Sequence, residues 1–324
     1  MENSMKLQQK LASFTVDFAD LEKHIAPDHP EAILLLTGTF AQGLATPTSD
    51  IDLLLVYPES SFIHGFTAKR TTETNDVYPL REGDSVFPQD QGMIVNRELS
   101  DGQKIQTYVT RADYIRSVQH QVRARNDSFR ARIAGDHSGL RRDGRLLFFI
   151  DQLILYRFYT GLVLYNVDGA ERLRGELPLA ELADNVAVRE TSMIQGYFSD
   201  LRGLTALSGQ DEFETLLLIH QRMLVSLTVV LLAAVGEFCP QEKLLFRLLK
   251  RHAAEIGEDV VEKLLDRFSN LPRTLRVDPL EINDFIYGLL LKARTKSPLV
   301  EAEYADWNKE SVFATFVPVA APAA

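Results

Sequence analysis

Hydrophobic and polar residues follow two different patterns along the chain, and the pattern changes near residue 112. Before that point, short apolar runs bounded by Gly, Pro and polar residues predict β-strands. These strands are predicted at 32–37, at 51–57 and on both sides of Ser100-Asp101-Gly102, at 93–95 and 104–110. An Asp-Gly pair between two such runs is typical of a β-hairpin.

Apolar residues at helical spacing dominate after residue 112. Helices are predicted over 146–165, 188–207, 212–235, 242–256, 260–268 and 280–293, with another over 7–25 and a short one near 39–44. Asp168-Gly169 and Pro272 predict turns, and 58–90 predicts an irregular excursion. The fold class is therefore predicted as α+β, with a small mixed β-sheet in a catalytic domain over 1–112, a helical domain over 113–315 and a flexible tail over 316–324.

Two carboxylates stand at the start of the second predicted strand. Asp50 and Asp52 are separated by one residue, so their side chains project to the same face of a strand. Two negative charges this close repel each other unless a cation lies between them. Mg²⁺ binds carboxylate oxygens together with substrate phosphates. The pair is therefore predicted to hold a metal ion for phosphoryl or nucleotidyl transfer.

The carboxylates follow a glycine turn, Gly38-Thr39, that ends the preceding apolar run. Gly38-Thr39 followed by Asp50-Ile51-Asp52-Leu53 resembles the signature of the polymerase-β-like nucleotidyltransferase superfamily, over about residues 30 to 115. The succession of a sheet domain and a helical domain also resembles the antibiotic-type nucleotidyltransferases. The resemblance implies transfer of a nucleoside monophosphate, AMP from ATP, to a hydroxyl or amine, with release of pyrophosphate.

The resemblance also implies roles for individual residues. Asp50 and Asp52 would hold one or two Mg²⁺ ions, while Gly38 and Thr39 would bind the nucleotide phosphates. Further candidates for contact with the nucleotide are Ser49, directly before the carboxylate pair, and Lys243, at a predicted helix start. Simpler interpretations stay open for three of them. Gly38 fits an ordinary strand-to-helix turn, Thr39 fits a helix N-cap, and Lys243 fits a solvated surface lysine.

The sequence departs from the superfamily at the third catalytic acid. The strand over 104–110 places Gln106 where that carboxylate is expected, and a glutamine amide cannot accept a proton near neutral pH. The acid would then come from elsewhere, with Glu98 and Asp101 nearest, or the acceptor ionises without a strong base. Alternatively, the chain is a catalytically impaired fold that binds a nucleotide or a protein partner. Gln42, where the superfamily often has Arg, is a smaller departure.

Composition limits the classes of partner. The net charge of −10 and pI near 5.3 argue against a long nucleic-acid substrate but not against a nucleotide or a small acceptor. Residues 111–145 are the exception, with nine Arg against four Asp and a net charge of +5. There are two interpretations of these arginines. They bind a triphosphate or an acidic acceptor, or they pair with acidic neighbours on a helix face.

Other classes of protein are disfavoured by missing motifs. One cysteine, Cys239, excludes an intramolecular disulfide, and the isolated His220 and His252 give no zinc-binding spacing. P-loop and dinucleotide-binding glycine motifs are absent. The N-terminus lacks a signal-peptide core, and the apolar run over 223–235 is shorter than a membrane span. A cytoplasmic protein without a membrane partner is expected, and the acceptor, the particular NTP and the oligomeric state are left open.

Overall fold

The computed structural model describes residues 29–46, 48–58, 76–79, 81–82, 85–86, 92–98, 102–135, 149–205, 213–239, 241–277 and 279–305. The predicted helix over 7–25, most of the excursion over 58–90 and the predicted tail over 316–324 lie outside the described residues.

Most of the strands lie in the first part of the chain. The strands are β1 (Ile33–Thr37), β2 (Ile51–Tyr57), β3 (Asp76–Pro79), β4 (Arg81–Glu82), β5 (Ser85–Val86), β6 (Gly92–Glu98), β7 (Lys104–Arg111) and β8 (Leu162–Tyr165). The helices are α1 (Gly38–Ala41), α2 (Ala112–Ile133), α3 (Phe149–Thr160), α4 (Val167–Gly175), α5 (Leu179–Thr205), α6 (Phe213–Ala233), α7 (Glu242–Arg251), α8 (Ala253–Ile256), α9 (Glu258–Val277), α10 (Pro279–Arg294) and α11 (Pro298–Glu303).

Six strands form one mixed sheet in the order β3-β6-β7-β2-β1-β8. β2 and β7 run parallel, and the other neighbouring pairs are antiparallel. The predicted hairpin is confirmed, because β6 and β7 pair in register from Glu98 opposite Lys104 to Gly92 opposite Thr110. The predicted fold class, a small mixed sheet followed by a largely helical region, is likewise confirmed.

The central strands of the sheet are covered on both faces. One face carries an apolar core built from alternate residues of β1, β2, β6 and β7, among them Leu36, Leu53, Val95 and Ile105. α3 packs against β1 and β2, and every residue of these two strands is buried. Burial on both faces explains why these strands are continuous apolar runs rather than alternating ones.

Contacts divide the chain into two compact units. The first comprises residues 1–124 and 143–179, and the second comprises residues 125–142 and 180–324. The first unit thus includes α3, β8 and α4, which the sequence analysis assigned to the helical part. The functional division at residue 112, between a catalytic and a substrate-covering domain, stays a prediction.

The prediction of one helix over 146–165 is wrong at its C-terminal end. α3 ends at Thr160, and Leu162–Tyr165 forms β8, which pairs antiparallel with β1 at the edge of the sheet. Gly161 makes this turn possible because the chain passes very close to β1. A Cβ atom at Gly161 would lie 2.6 Å from the carbonyl oxygen of Arg157 and 3.0 Å from that of Leu36.

Gly161→Ala is expected to destabilise the protein by about 1–3 kcal/mol, because backbone atoms on two sides cannot move away from the added methyl group. Chemical denaturation of the variant measures this loss. Gly196→Ala is the matched control. Gly196 lies within α5, and a Cβ atom added there would meet no neighbouring atom within 4 Å. The same substitution should therefore stabilise the protein by about 0.5–1 kcal/mol. Equal effects at the two sites would contradict the assigned packing of β8.

Two predicted turns are also wrong. Asp168-Gly169 lies in the first turn of α4, where the side chain of Asn166 caps the helix by accepting a hydrogen bond from the Gly169 N–H. Pro272 lies inside α9 although proline lacks the amide hydrogen that a helix interior needs. The helix continues through it because Leu271 and Leu275 are buried in the core of the second unit.

The remaining helices of the second unit differ from prediction mainly at their ends. α5 begins nine residues before the predicted 188, and α9 ends nine residues after the predicted 268. The predicted helix over 242–256 is divided at His252 into α7 and α8. α6 is long and apolar enough to cross a membrane by length and composition, but most of its apolar window is buried. Such burial is typical of the core helix of a globular unit.

Candidate active site

A row of polar residues crosses four adjacent strands at one end of the sheet. Thr37 of β1 pairs with Asp52 of β2, Asp52 pairs with Gln106 of β7, and Gln106 pairs with Asn96 of β6. Paired residues on neighbouring strands project to the same face about 5 Å apart. Gln106 thus lies beside Asp52 on the neighbouring strand, and its place at a metal site stays a prediction.

The two predicted metal ligands have different surroundings. Asp50 precedes β2 and is exposed to solvent, whereas Asp52 is inside β2 and buried. Among the described residues, no hydrogen bond or ion pair engages the Asp50 carboxylate. Replacement of Asp50 therefore removes no hydrogen bond or ion pair with these residues, whereas replacement of Asp52 removes its ion pair with Arg157.

A buried arginine holds Asp52. Nη2 of Arg157, on α3, donates to Oδ1 of Asp52 at 3.1 Å, and Nη1 donates to Oγ1 of Thr37 at 2.8 Å. The Thr37 hydroxyl in turn donates to the carbonyl oxygen of Asp52 at 3.2 Å. The guanidinium lies over the ring of Tyr108, 3.9 Å from its centroid. Arg157 thus fixes one oxygen of the carboxylate and balances its charge.

Tyr108 lies in the same electrostatic environment. Burial raises the pKa of its hydroxyl, the nearby positive charge of Arg157 lowers it, and the negative charge of Asp52 raises it. The net direction is upward, so Tyr108 stays protonated at neutral pH. Its ring serves as a stacking surface for Arg157.

Arg157 was missed by sequence reasoning. It lies in the segment Phe149-Ile150-Asp151-Gln152-Leu153-Ile154-Leu155-Tyr156-Arg157-Phe158-Tyr159-Thr160, in which it is the single cation. A lone arginine in a strongly apolar helix signals a buried, paired charge, because an unpaired one is costly. The identity of its partner, 105 positions earlier, could not be found from local pattern.

Gly38 lies directly against the Asp52 carboxylate. Its φ of +64° favours glycine, and a Cβ atom there would lie 2.1 Å from Oδ2 of Asp52. Any side chain at position 38 would displace the carboxylate. Oδ2 accepts no hydrogen bond from any described residue, so it is the oxygen of Asp52 that is left for a cation.

The hydroxyl groups of Thr39 and Ser49 differ in whether they already have a hydrogen-bond partner. Thr39 is half-buried in α1, and its hydroxyl has no hydrogen-bond partner among the described residues. The N-cap of α1 is Thr37, so the N-cap interpretation of Thr39 is wrong. The hydroxyl of Ser49 instead accepts a hydrogen bond from the Thr46 amide at 2.8 Å. Ser49 thus helps to shape the loop before Asp50.

Amides occupy the position expected for the third acid. Nε2 of Gln106 donates to Oδ1 of Asn96 at 3.2 Å. Glu98 projects to the same face of the sheet two residues further along β6, where it is exposed, and Asp101 lies outside the described residues. Within the described ranges, no three His, Cys, Asp or Glu side chains are grouped closely enough to hold a metal ion.

Three other candidate residues belong to the second compact unit. Lys243 is exposed at the second position of α7, in the second unit. His220 is buried, with its Nδ1 2.7 Å from the carbonyl oxygen of Leu216 and its Nε2 3.1 Å from Oδ1 of Asn283. His252 divides α7 from α8 and lies near glutamate carboxylates.

A cavity of about 290 Å³ lies at the opposite end of β1 and β2 from Asp52. Ile33 and Val56, which pair across these strands, line it together with Arg116, Asn166 and Arg172. Four residue positions along β1 separate Ile33 from Thr37, a distance of about 13 Å. The cavity is therefore separate from the row of polar residues.

Comparison with known protein families matches the part of the chain that carries three of the four residues in this row. Residues 20–105 match the family model described as a nucleotidyltransferase domain. The chain contains a nucleotidyltransferase domain. The matched range includes Gly38, Thr39, Asp50 and Asp52 and ends directly before Gln106, so the resemblance to the polymerase-β-like superfamily is confirmed for this domain. No curated protein matches the chain.

Proposed function

We propose that the chain is a Mg²⁺-dependent enzyme that transfers a nucleoside monophosphate, AMP from ATP, to a hydroxyl or amine of a small molecule or a protein. Pyrophosphate is the second product. The observation that carries this proposal is the Asp50 and Asp52 pair at the entrance to β2, with Gly38 directly against the Asp52 carboxylate. A nucleotidyltransferase domain with this constellation supports the general reaction, and ATP is the donor that we propose among the NTPs.

The available oxygens fit Mg²⁺. Carboxylate oxygens are the protein ligands that this ion prefers, and it is usually held by one or two carboxylates plus substrate phosphates and water. The exposed carboxylate of Asp50 and Oδ2 of Asp52 match that set, while Arg157 holds Oδ1. When bound, the ion would neutralise charge on the triphosphate and orient its α-phosphorus.

The chain's own groups have separate tasks in this proposal. Gly38 brings backbone close to the phosphates, and the Thr39 hydroxyl donates to a phosphate oxygen. Arg157 holds the Asp52 carboxylate in one orientation, which preserves the geometry on which an in-line displacement depends. Ser49 shapes the loop that leads to Asp50, and Lys243 remains a proposed contact for the nucleotide.

Position 106 offers no strong base that could remove the proton of the acceptor. Gln106 cannot accept a proton, so the proposal assigns this step to Glu98, on the same face of the sheet, or to an acceptor acidic enough to ionise unaided. Residues 113–315 would cover the nucleotide and select the acceptor. The net charge of −10 favours a small-molecule or protein acceptor over a long nucleic acid. We place the protein in the cytoplasm.

The experiment that tests the proposal measures pyrophosphate release by the purified full chain. Each of the four NTPs is supplied in turn with Mg²⁺ and a fractionated cell extract as the source of acceptors. Release that requires both Mg²⁺ and an extract fraction, with ATP preferred, supports the proposal. If no NTP is consumed in any fraction, although calorimetry shows nucleotide binding, the enzymatic proposal is contradicted.

A second candidate function is a nucleotidyltransferase domain that binds a nucleotide or a protein without catalysis. Two observations favour it: the Gln106–Asn96 amide pair in place of the third acid, and the ion pair with Arg157, which competes with a metal for Asp52. Calorimetric titration of ATP with and without Mg²⁺ separates the possibilities. Metal-dependent binding without turnover would favour this function, and absence of binding would favour a role in protein interaction.

Gln106→Glu is expected to tighten Mg²⁺ binding and to leave turnover unchanged or raise it. The substitution adds a carboxylate on β7 at the position that pairs with Asp52 of β2. There it offers both a further metal ligand and a proton acceptor. Calorimetry with Mg²⁺ and ATP measures the affinity. Gln106→Leu is the control, because it removes the amide without adding charge. An equal metal affinity in wild type and Gln106→Glu would contradict a place for this residue at the metal.

A further inference from the structure

Most of the described arginines in the basic segment over 111–145 pair with neighbouring oxygens. Five of its arginines contact a carboxylate or a backbone carbonyl oxygen: Arg111 with Asp113, Arg116 with Glu176, Arg123 with the Glu176 carbonyl, Arg130 with Asp127, and Arg132 with Glu303. Arg141, Arg142 and Arg145 lie outside the described residues. For these five arginines, pairing with neighbours is the interpretation that the structure supports.

Arg125, on α2, is the exception. Its Nη1 is buried and has no hydrogen-bond partner, and no carboxylate of the described residues forms an ion pair with it. The side chain of Arg125 is half-buried, its guanidinium stays charged in a protein, and a buried N–H donor without a hydrogen-bond partner is unfavourable. An external anion would remove this cost.

A second arginine lies beside Arg125. Asn185 of α5 donates from Nδ2 to Oδ1 of Asn126 at 2.9 Å, which fixes the contact between α5 and α2 next to Arg125. Arg189 follows Asn185 by one helical turn, on the same side of α5. Burial, and then the positive charge of Arg189, lower the pKa of Arg125.

The charges of this group do not cancel. The carboxylate of Glu190, itself buried, forms an ion pair with Arg189. The positive charge of Arg125 is then left over, so the two arginines and one glutamate carry a single net positive charge. All three residues belong to the second compact unit, so the group is distinct from the polar row of the sheet.

We propose that Arg125 and Arg189 form a binding site for an oxyanionic group, the phosphate or carboxylate of a ligand. Planar guanidinium groups bind such oxygens by paired, charge-assisted hydrogen bonds. The anion accepts from the guanidinium of Arg125 and is attracted by the positive charge of Arg189, while the carboxylate of Glu190 lowers the net positive charge of the group. This site does not depend on the proposed nucleotidyl transfer, and its test requires no turnover.

The test is a titration of the purified full chain with inorganic phosphate, and separately with malonate, at constant ionic strength adjusted with chloride. Thermal unfolding and calorimetry report binding. Phosphate or malonate should raise the melting temperature of the wild type, and the anion with the larger effect identifies the chemistry. Arg125→Met should bind at least about tenfold more weakly, because a charge-assisted hydrogen bond is lost.

Arg130→Met is the matched control, since it removes one positive charge from the same helix at an exposed and paired position. It should keep the anion effect, and Arg189→Met should weaken it. Without added anion, Arg125→Met should melt no lower than the wild type, which shows that the variant folds. Equal anion effects in wild type and Arg125→Met, or no effect beyond that of chloride, would overturn the proposal.

Discussion

Asp50→Asn is expected to lower Mg²⁺-dependent nucleotidyl transfer by roughly a hundredfold or more, since a bound metal ion contributes several kcal/mol to transition-state stabilisation. The substitution keeps the size of the side chain and removes the charge. Because Asp50 is exposed and makes no hydrogen bond or ion pair with a described residue, the free energy of unfolding should change by less than about 0.5 kcal/mol. Turnover and denaturant titration measure the two effects.

This separation of effects makes Asp50 the better position for a test of catalysis. A variant at Asp52 would lose activity for two reasons at once, because Asp52 also pairs with Arg157. Thr48→Ala is the control, since Thr48 is an exposed neighbour in the same loop and its replacement leaves both carboxylates in place. It should retain turnover. Full activity in Asp50→Asn would remove this residue from the catalytic site.

Arg157→Met is expected to cause the largest loss of stability, roughly 3–5 kcal/mol, because it leaves the buried Asp52 carboxylate without its cation. Asp52→Asn should also destabilise, since the Arg157 charge is then left buried. The double variant should lose less than the sum of the two single losses, because neither residue is left as an uncompensated charge. Denaturant titration of the four proteins gives the coupling energy directly.

Arg116→Met is the matched control for this cycle. Arg116 also pairs with a carboxylate, that of Glu176, but the two side chains are 48% and 38% exposed. Removal of an ion pair in such solvent contact should cost less than about 1 kcal/mol. If Arg157→Met cost no more than Arg116→Met, the Arg157–Asp52 pair would not stabilise the domain as described.

The local parts of the candidate active site were predictable from the sequence, and the long-range parts were not. β2 is an apolar run, the β6–β7 hairpin has a strong turn signal, and the place of Gln106 near Asp52 was implied by the resemblance to the nucleotidyltransferase superfamily. Arg157 could be suspected from its apolar helix, but its partner depends on how α3 packs on the sheet. That packing is a tertiary property.

β8 shows the same limit for secondary structure. Leu162–Tyr165 is too short and too apolar for local pattern to separate a strand from a helix end. Its pairing with β1, and the close passage of Gly161 against Leu36, decide the outcome. Pro272 is the converse case, in which burial of neighbouring leucines overrides a strong local signal for a turn.

The most direct test of nucleotidyl transfer follows two labels in one reaction. Wild-type protein is incubated with Mg²⁺, an active extract fraction and ATP labelled at either the α- or the γ-phosphate. Transfer of AMP predicts that the α label enters the acceptor, that the γ label leaves with pyrophosphate, and that Asp50→Asn slows both by roughly a hundredfold or more. Entry of the γ label into the acceptor, or an equal reaction by Asp50→Asn, would contradict the account.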